Sequence, residues 1–175
     1  KKIAYVYKEN NQLSLAANEY ERIEKESKDD DIRRDALQVA AELHEEDGNS
    51  IRALEVYRRY VEYFPQPVEL NLETRNKIAE ILKAQSDRPA YLEELGHIVT
   101  IDASAGSART PNTRYLAGNA ALVLAENTYE TFLAVKLVKP LKDNMQKKQD
   151  LMKKAINRFN SLLDYESGEL TAAAT

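Results

Sequence analysis

The sequence predicts an all-α chain built as a solenoid of stacked antiparallel helix pairs, with a longer helical hairpin toward its C-terminal end. Three observations carry this. One spacing of residue types occurs three times: Asn11, Leu13, Ala16, Tyr20, Ile23; then Gly48, Asn49, Ser50, Ala53, Tyr57, Tyr60, Pro65; then Ser86, Asp87, Arg88, Tyr91, Leu95, Ile98. Ala16 to Ala53 is 37 residues and Ala53 to Tyr91 is 38. Units at such an interval bury their apolar faces only against each other. Charged residues make up 31% of the chain, with Gly and Pro at five each, which favours long helices over loop-rich or strand-rich folds. Apolar residues recur at helical spacing along most of the chain.

The first unit opens with Ile3, Ala4 and Tyr7 on one helical face, and Asn10-Asn11 breaks it. Leu13, Ala16, Ala17, Tyr20 and Ile23 form the stripe of the next helix. The charged run Glu26 to Asp31 is a solvated turn. Asp29 to Asp31 read as an N-cap cluster rather than a metal site, since nothing nearby completes a ligand set. In the second unit Leu37, Ala40, Ala41 and His44 face inward, and Asp47-Gly48-Asn49-Ser50 is a tight turn suited to positive φ at Gly48. Asn49 or Ser50 caps the following helix, which points Ile51, Ala53, Leu54, Tyr57, Tyr60 and Val61 inward. Phe64-Pro65-Gln66-Pro67 ends it.

The third unit starts near Leu72, with Ile78, Ala79 and Leu82 inward and Gln85-Ser86-Asp87 as its turn. Pro89 sits in the first turn of the next helix, where its missing N–H costs little. Tyr91, Leu92, Leu95, Ile98 and Val99 continue the stripe. Residues 102–110 are small and polar and read as a loop; Thr110-Pro111 then caps and starts a helix. That helix is rich in small residues and is expected to run to about Val138. Pro140 separates it from a last long helix, about Leu141 to Tyr165. Its expected apolar face is Met145, Leu151, Met152, Ala155, Ile156, Phe159, Leu162 and Leu163. The organisation expected is three hairpins over residues 1–103, a loop at 104–110, a long hairpin over 111–166 and the start of a further helix at 167–175. The opening and closing residues both read as helix interiors, so an excised piece of a longer repeat protein is expected.

The net charge of −4 argues against nucleic acid as the main partner. With no cysteine, neither a disulfide framework nor a thiolate metal site can form. No apolar run approaches bilayer length, so no direct membrane insertion is expected.

Gly48-Asn49, Ala53, Tyr57 and Phe64-Pro65 together resemble the tetratricopeptide repeat, and Ala16 and Tyr20 match it with Asn11 in place of Gly. The third unit departs from the pattern, with Tyr91 where a small residue is usual and Ala103 where proline is usual. The fourth matches only through Ala117, Gly118 and Ala121. The long intervals look like degenerate bacterial members, which points to a bacterial periplasm ahead of a cytoplasm. The resemblance implies a right-handed solenoid that acts as a protein-interaction scaffold. It also implies that the first helix of each unit lines a concave groove. That face carries Lys1, Tyr5 and Lys8; then Asp35, Gln38, Glu42 and Glu45; then Glu73, Asn76, Glu80 and Lys83. Its middle is acidic. The carboxylate clamp of some members needs asparagine where this chain has Tyr5 and Val39, so that mode is not expected.

Little here points to catalysis. His44 and His97 lie in separate units, neither belongs to an HExxH pattern, and no glycine loop cradles phosphate. No catalytic, cofactor-binding or metal-binding residue is expected. Ten Tyr against three Phe and no Trp is a skewed choice; Tyr7, Tyr20, Tyr57, Tyr60 and Tyr91 fall at packing positions, whereas Tyr5 and Tyr63 point outward as candidate anchors. Between Lys136 and Arg158 eight Lys/Arg face two Asp. This is either the solvated face of an amphipathic helix or a contact for an acidic partner, including self-association with the acidic repeat face. Two functions follow: a scaffold that binds a protein or peptide segment on the concave face through Tyr5, Lys8, Gln38, Glu42, Glu45, Asn76, Glu80 and Lys83, or a spacer and assembly section of a longer solenoid in a bacterial envelope complex.

Overall fold

A computed structural model describes residues 2–165, which are helical throughout and contain no strand. Lys1, residue 166 and the helix expected at 167–175 lie outside the described residues. The chain divides into two compact units, Lys1–Tyr91 and Leu92–Thr175.

The first unit holds α1 (Lys2–Glu9), α2 (Leu13–Glu26), α3 (Asp30–Glu46), α4 (Ser50–Tyr63) and α5 (Val68–Ala84). Each packs against the helix before it, and the short connections make neighbours antiparallel. The core is Leu37, Ala40, Ala41, Ala53, Val56, Tyr57, Tyr60, Phe64, Ile78 and Leu82, with Ala90 and Tyr91 from the start of α6 (Arg88–Ser104) against it. Ala16, Ala17 and Leu43 pack with Tyr7 and Leu13 in a smaller cluster. Alanines at these positions let helix axes approach closely, so the small residues of the recurring pattern are packing residues.

The repeat is visible in the backbone. Asn11, Gly48 and Ser86 each take a left-handed conformation, at φ of 56°, 77° and 59°. Around them the same pair of hydrogen bonds recurs. Asn11 N donates to Lys8 O and Gln12 N to Tyr7 O; Gly48 N to Glu45 O and Asn49 N to His44 O; Ser86 N to Lys83 O and Asp87 N to Leu82 O. This is the Schellman closure, which satisfies the last carbonyls of the preceding helix. The connections between one pair and the next differ. Asp29 caps α3 by accepting from Asp31 N and Ile32 N. Asn71, buried in α5, donates to the carbonyls of Val61 and Phe64, so the end of α4 is held by a side chain.

The second unit contains the rest of α6, a 3-10 turn at Gly106–Ala108, α7 (Pro111–Ala134), α8 (Leu141–Ser161) and a 3-10 turn at Leu162–Tyr165. α7 packs against α8. Thr110 and Thr113 cap α7 reciprocally, with Pro111 in its first turn. The polar stretch near residue 102 is more ordered than its composition suggests. α6 continues to Ser104 because Asp102 is buried and its Oδ2 accepts from Arg109 Nε at 2.8 Å. α7 stops at Ala134, short of Val138: Lys148 Nζ takes the Val135 carbonyl at 3.0 Å, an acceptor that a continuing helix would need.

Three inward assignments are corrected. Ile51 is 71% exposed, since it sits in the first turn of α4 beside its cap. Ile3 is exposed, and α1 buries only Ala4. On α8, Leu151, Ala155 and Phe159 turn toward α7, but Met145, Met152 and Ile156 are exposed, as is Leu163 just beyond. One helix partner can cover only one flank of so wide an apolar face.

The turns yield a paired expectation. Ser86→Gly relieves a left-handed residue with a Cβ and raises the unfolding free energy by about 0.5–1 kcal/mol, whereas Gly48→Ala lowers it by about 1 kcal/mol. Urea denaturation followed by helical circular dichroism reads both, and shifts of the same sign would contradict the equivalence of the turns.

Candidate functional site

Two elements of the first unit position the residues assigned to the groove. On α3, Asp35 and Glu42 are seven residues apart; on α5, Glu73 and Glu80 are also seven apart. Seven residues is two turns, about 10 Å along a helix axis, so each helix presents its carboxylates in a row. Between these helices in sequence lies α4, whose Tyr57 and Tyr60 are buried. The Tyr57 hydroxyl donates to Glu45 Oε2 at 3.0 Å. Burial pushes its phenol far above the ordinary tyrosine range, and the charge of Glu45, their hydrogen bond, Glu42 and Glu80 push further the same way. Carboxylates of both α3 and α5 therefore act on one phenol, and Glu45 touches it. Tyr60 is raised by burial, with Asp35 and Glu73 adding to the shift and Arg34 and a hydrogen bond with Thr74 opposing it.

The remaining groove residues fall around this centre. Gln38 Nε2 donates to Glu42 Oε1 at 3.2 Å, and Asn76 Nδ2 donates to Glu80 Oε1 at 3.1 Å. Each amide holds a carboxylate one turn further along its helix, which limits the rotamers the acid samples. Lys83 Nζ stands 5.9 Å from the Tyr91 ring centroid. Lys77 and Lys83 are also exposed on α5. Gln38, Glu42 and Glu45 thus stand on α3 and Asn76 and Glu80 on α5, the two helices that each pack against α4. Tyr5 and Lys8 stand exposed on α1, and among the described residues their side chains make no hydrogen bond or ion pair.

A second polar cluster was missed by sequence reasoning. Glu21 on α2 is 3% exposed. Its carboxylate accepts from His44 Nε2 (3.0 Å), Arg52 Nε and Nη2 (3.1 and 2.8 Å) and Arg59 Nη2 (2.7 Å). Burial alone would raise its pKa, but the His44 hydrogen bond and the charges of Arg52 and Arg59 outweigh it, leaving Glu21 below the ordinary glutamate value. Four donors meet the roughly four lone-pair sites of a carboxylate, so it has no acceptor capacity left for a substrate. Beside it, Arg33 of α3 pairs with buried Glu24 of α2 at 3.2 Å and lies over the Phe64 ring at 5.6 Å. The signal in the sequence was an acid at a packing position: Glu21 follows Ala17 by one turn, and Arg52 and Arg59 share a face of α4. His44 fell on that packing face as expected. His97 is exposed.

Glu21 titrates with a definite sign. Its folded pKa lies below the unfolded 4.5, so its contribution to stability is present above about pH 4.5 and is lost as pH falls through the folded value. Glu21→Gln is expected to cost about 3 kcal/mol at pH 7, because it leaves the arginines facing no charge. Thermal unfolding of both proteins from pH 7 to pH 3 should show that gap closing below about pH 4.5; a pH-independent gap would contradict the assignment.

No family model matches this chain, and neither a curated protein nor a solved structure matches it.

Proposed function

We propose that the chain is a non-catalytic protein-interaction scaffold of tetratricopeptide type, a right-handed solenoid whose α3 and α5 hold a Lys/Arg-bearing segment of a partner protein. The observation that supports this best is that Glu42 and Glu45 of α3 and Glu80 of α5 all raise the Tyr57 phenol, with Glu45 accepting its hydrogen bond. Five polar side chains stand on the two helices that pack against α4, and two of the carboxylates are held by Gln38 and Asn76. Such an arrangement suits charge-assisted hydrogen bonds to ammonium or guanidinium groups spaced two helical turns apart. It offers no nucleophile with an adjacent base. Among the described residues no helix is long and apolar enough to cross a membrane. Acidic rows also disfavour a phosphate-rich ligand, so we read the partner as protein rather than nucleic acid.

Titration of fluorescently labelled Lys/Arg-rich peptides against the protein tests this reading. Reversal of both acids, Glu42→Lys with Glu80→Lys, is expected to weaken binding at least about tenfold and to flatten its salt dependence. Both residues are exposed, so the helical circular dichroism should be preserved. Unchanged affinity in the double variant would overturn the assignment to α3 and α5.

A further inference from the structure

The described residues of the second unit include a row of exposed apolar side chains. Leu141, Met145, Met152, Ile156 and Leu163 are all exposed, at steps of four, seven, four and seven residues. At 3.6 residues per turn the first four fall within about 60° around the α8 axis, and the stripe runs the length of that helix. Beside it lies a cavity of about 270 Å³ lined by Phe132, Leu137, Met145, Lys148, Gln149 and Met152. The cavity is held open from within. Lys148 Nζ donates to the Val135 carbonyl and sits 4.8 Å from the Phe132 centroid, and Asn144 Nδ2 donates to the Val138 carbonyl at 2.8 Å. These contacts fix the 135–138 segment as one wall and α8 as the other.

We propose that this groove seats an amphipathic helix of a partner protein, with apolar residues along its seam and Glu or Asp beside them. Three observations select that occupant. Steps of four and seven residues keep these side chains on one face of α8, the kind of apolar stripe that one helix buries against another. The cavity lies below the roughly 300–1,000 Å³ of small-molecule sites and suits seam side chains rather than a whole ligand. The charges flanking the first four residues of the stripe are basic, with exposed Lys142 and Lys153 on α8 and Lys136 and Lys139 on the approach to it. Asp143 and Asp150 do not offset this, because they line a different hollow with Thr131, Lys147 and Lys154. A second copy laying α8 on α8 would set these lysines against each other. A flat lipid surface fits a walled groove poorly. The site stands on the second unit alone and is independent of the acidic face of α3 and α5.

The test uses a synthetic helix of about three heptads, Leu at its seam and Glu beside it, with a twin in which Lys replaces Glu. Anisotropy titration should show the Glu peptide binding at least about tenfold tighter than the Lys twin. Met152→Lys combined with Ile156→Lys should remove about tenfold or more of that affinity without lowering the melting temperature, since both residues are exposed. Met152→Leu should retain it, which separates loss of the seam from loss of the fold. Phosphatidylglycerol vesicles and sedimentation velocity form the competing arms. Absence of Glu-peptide binding, equal binding of the Lys twin, vesicle binding lost in the double Lys variant, or a dimer dissolved by it would each overturn the proposal.

Discussion

The first unit depends on the burial of one carboxylate. An ionised group inside a helical stack costs several kcal/mol in lost hydration unless it is paired and its hydrogen-bonding capacity is filled. Glu21 meets that requirement with donors from two other helices: His44 on α3, and Arg52 and Arg59 on α4. Shifting α2 along α3 or α4 by one turn would strand a charge, whereas apolar packing alone would tolerate several nearby registers. The interaction therefore contributes less by its net energy than by penalising alternatives. Arg33, bridging Glu24 to the ring of Phe64, reinforces the same arrangement one turn further along α2.

With the helices held in register, the polar face opposite can be arranged with some precision. Tyr57 and Tyr60 fill the core with their rings and bring hydroxyls toward the carboxylates of α3 and α5. A phenol so strongly disfavoured from ionising remains a donor across the physiological pH range. The acids around it keep their charge exposed while one end of the cluster is anchored. That combination places fixed negative charge on a surface without a flexible loop, and it is why α3 and α5, rather than the termini, carry the proposed interaction.

The helical architecture was legible because it rests on local signals: small residues at fixed intervals, prolines at helix starts and turn residues at the breaks. Even the left-handed residues at Asn11, Gly48 and Ser86 fall where the pattern placed turns. Gln38, Glu42, Glu45, Asn76 and Glu80 were named through the resemblance, and they stand on α3 and α5, each of which packs against α4. What escaped was set by partners distant in sequence. Glu21 looked like one more surface acid, because its donors lie 23, 31 and 38 residues away. Ile51, Met152 and Ile156 looked like core because periodicity gives the direction of an apolar face without saying how much of it a neighbour covers. Tyr5 and Lys8 were included by analogy between units, and both stand exposed on α1.

The recurring turns bear on how this chain acquires its structure. Each is closed by hydrogen bonds reaching back three and five residues, so a hairpin can begin to form without waiting for a distant segment. Contacts within the first unit follow the same rule, helix to next helix. Low average separation of contacting residues favours fast folding and short-lived exposure of apolar surface. A chain emerging from a ribosome could complete α1 and α2 and lay each later helix on a finished neighbour. The one step that must wait is the neutralisation of Glu21, which becomes complete only when Arg59, near the far end of α4, has been made.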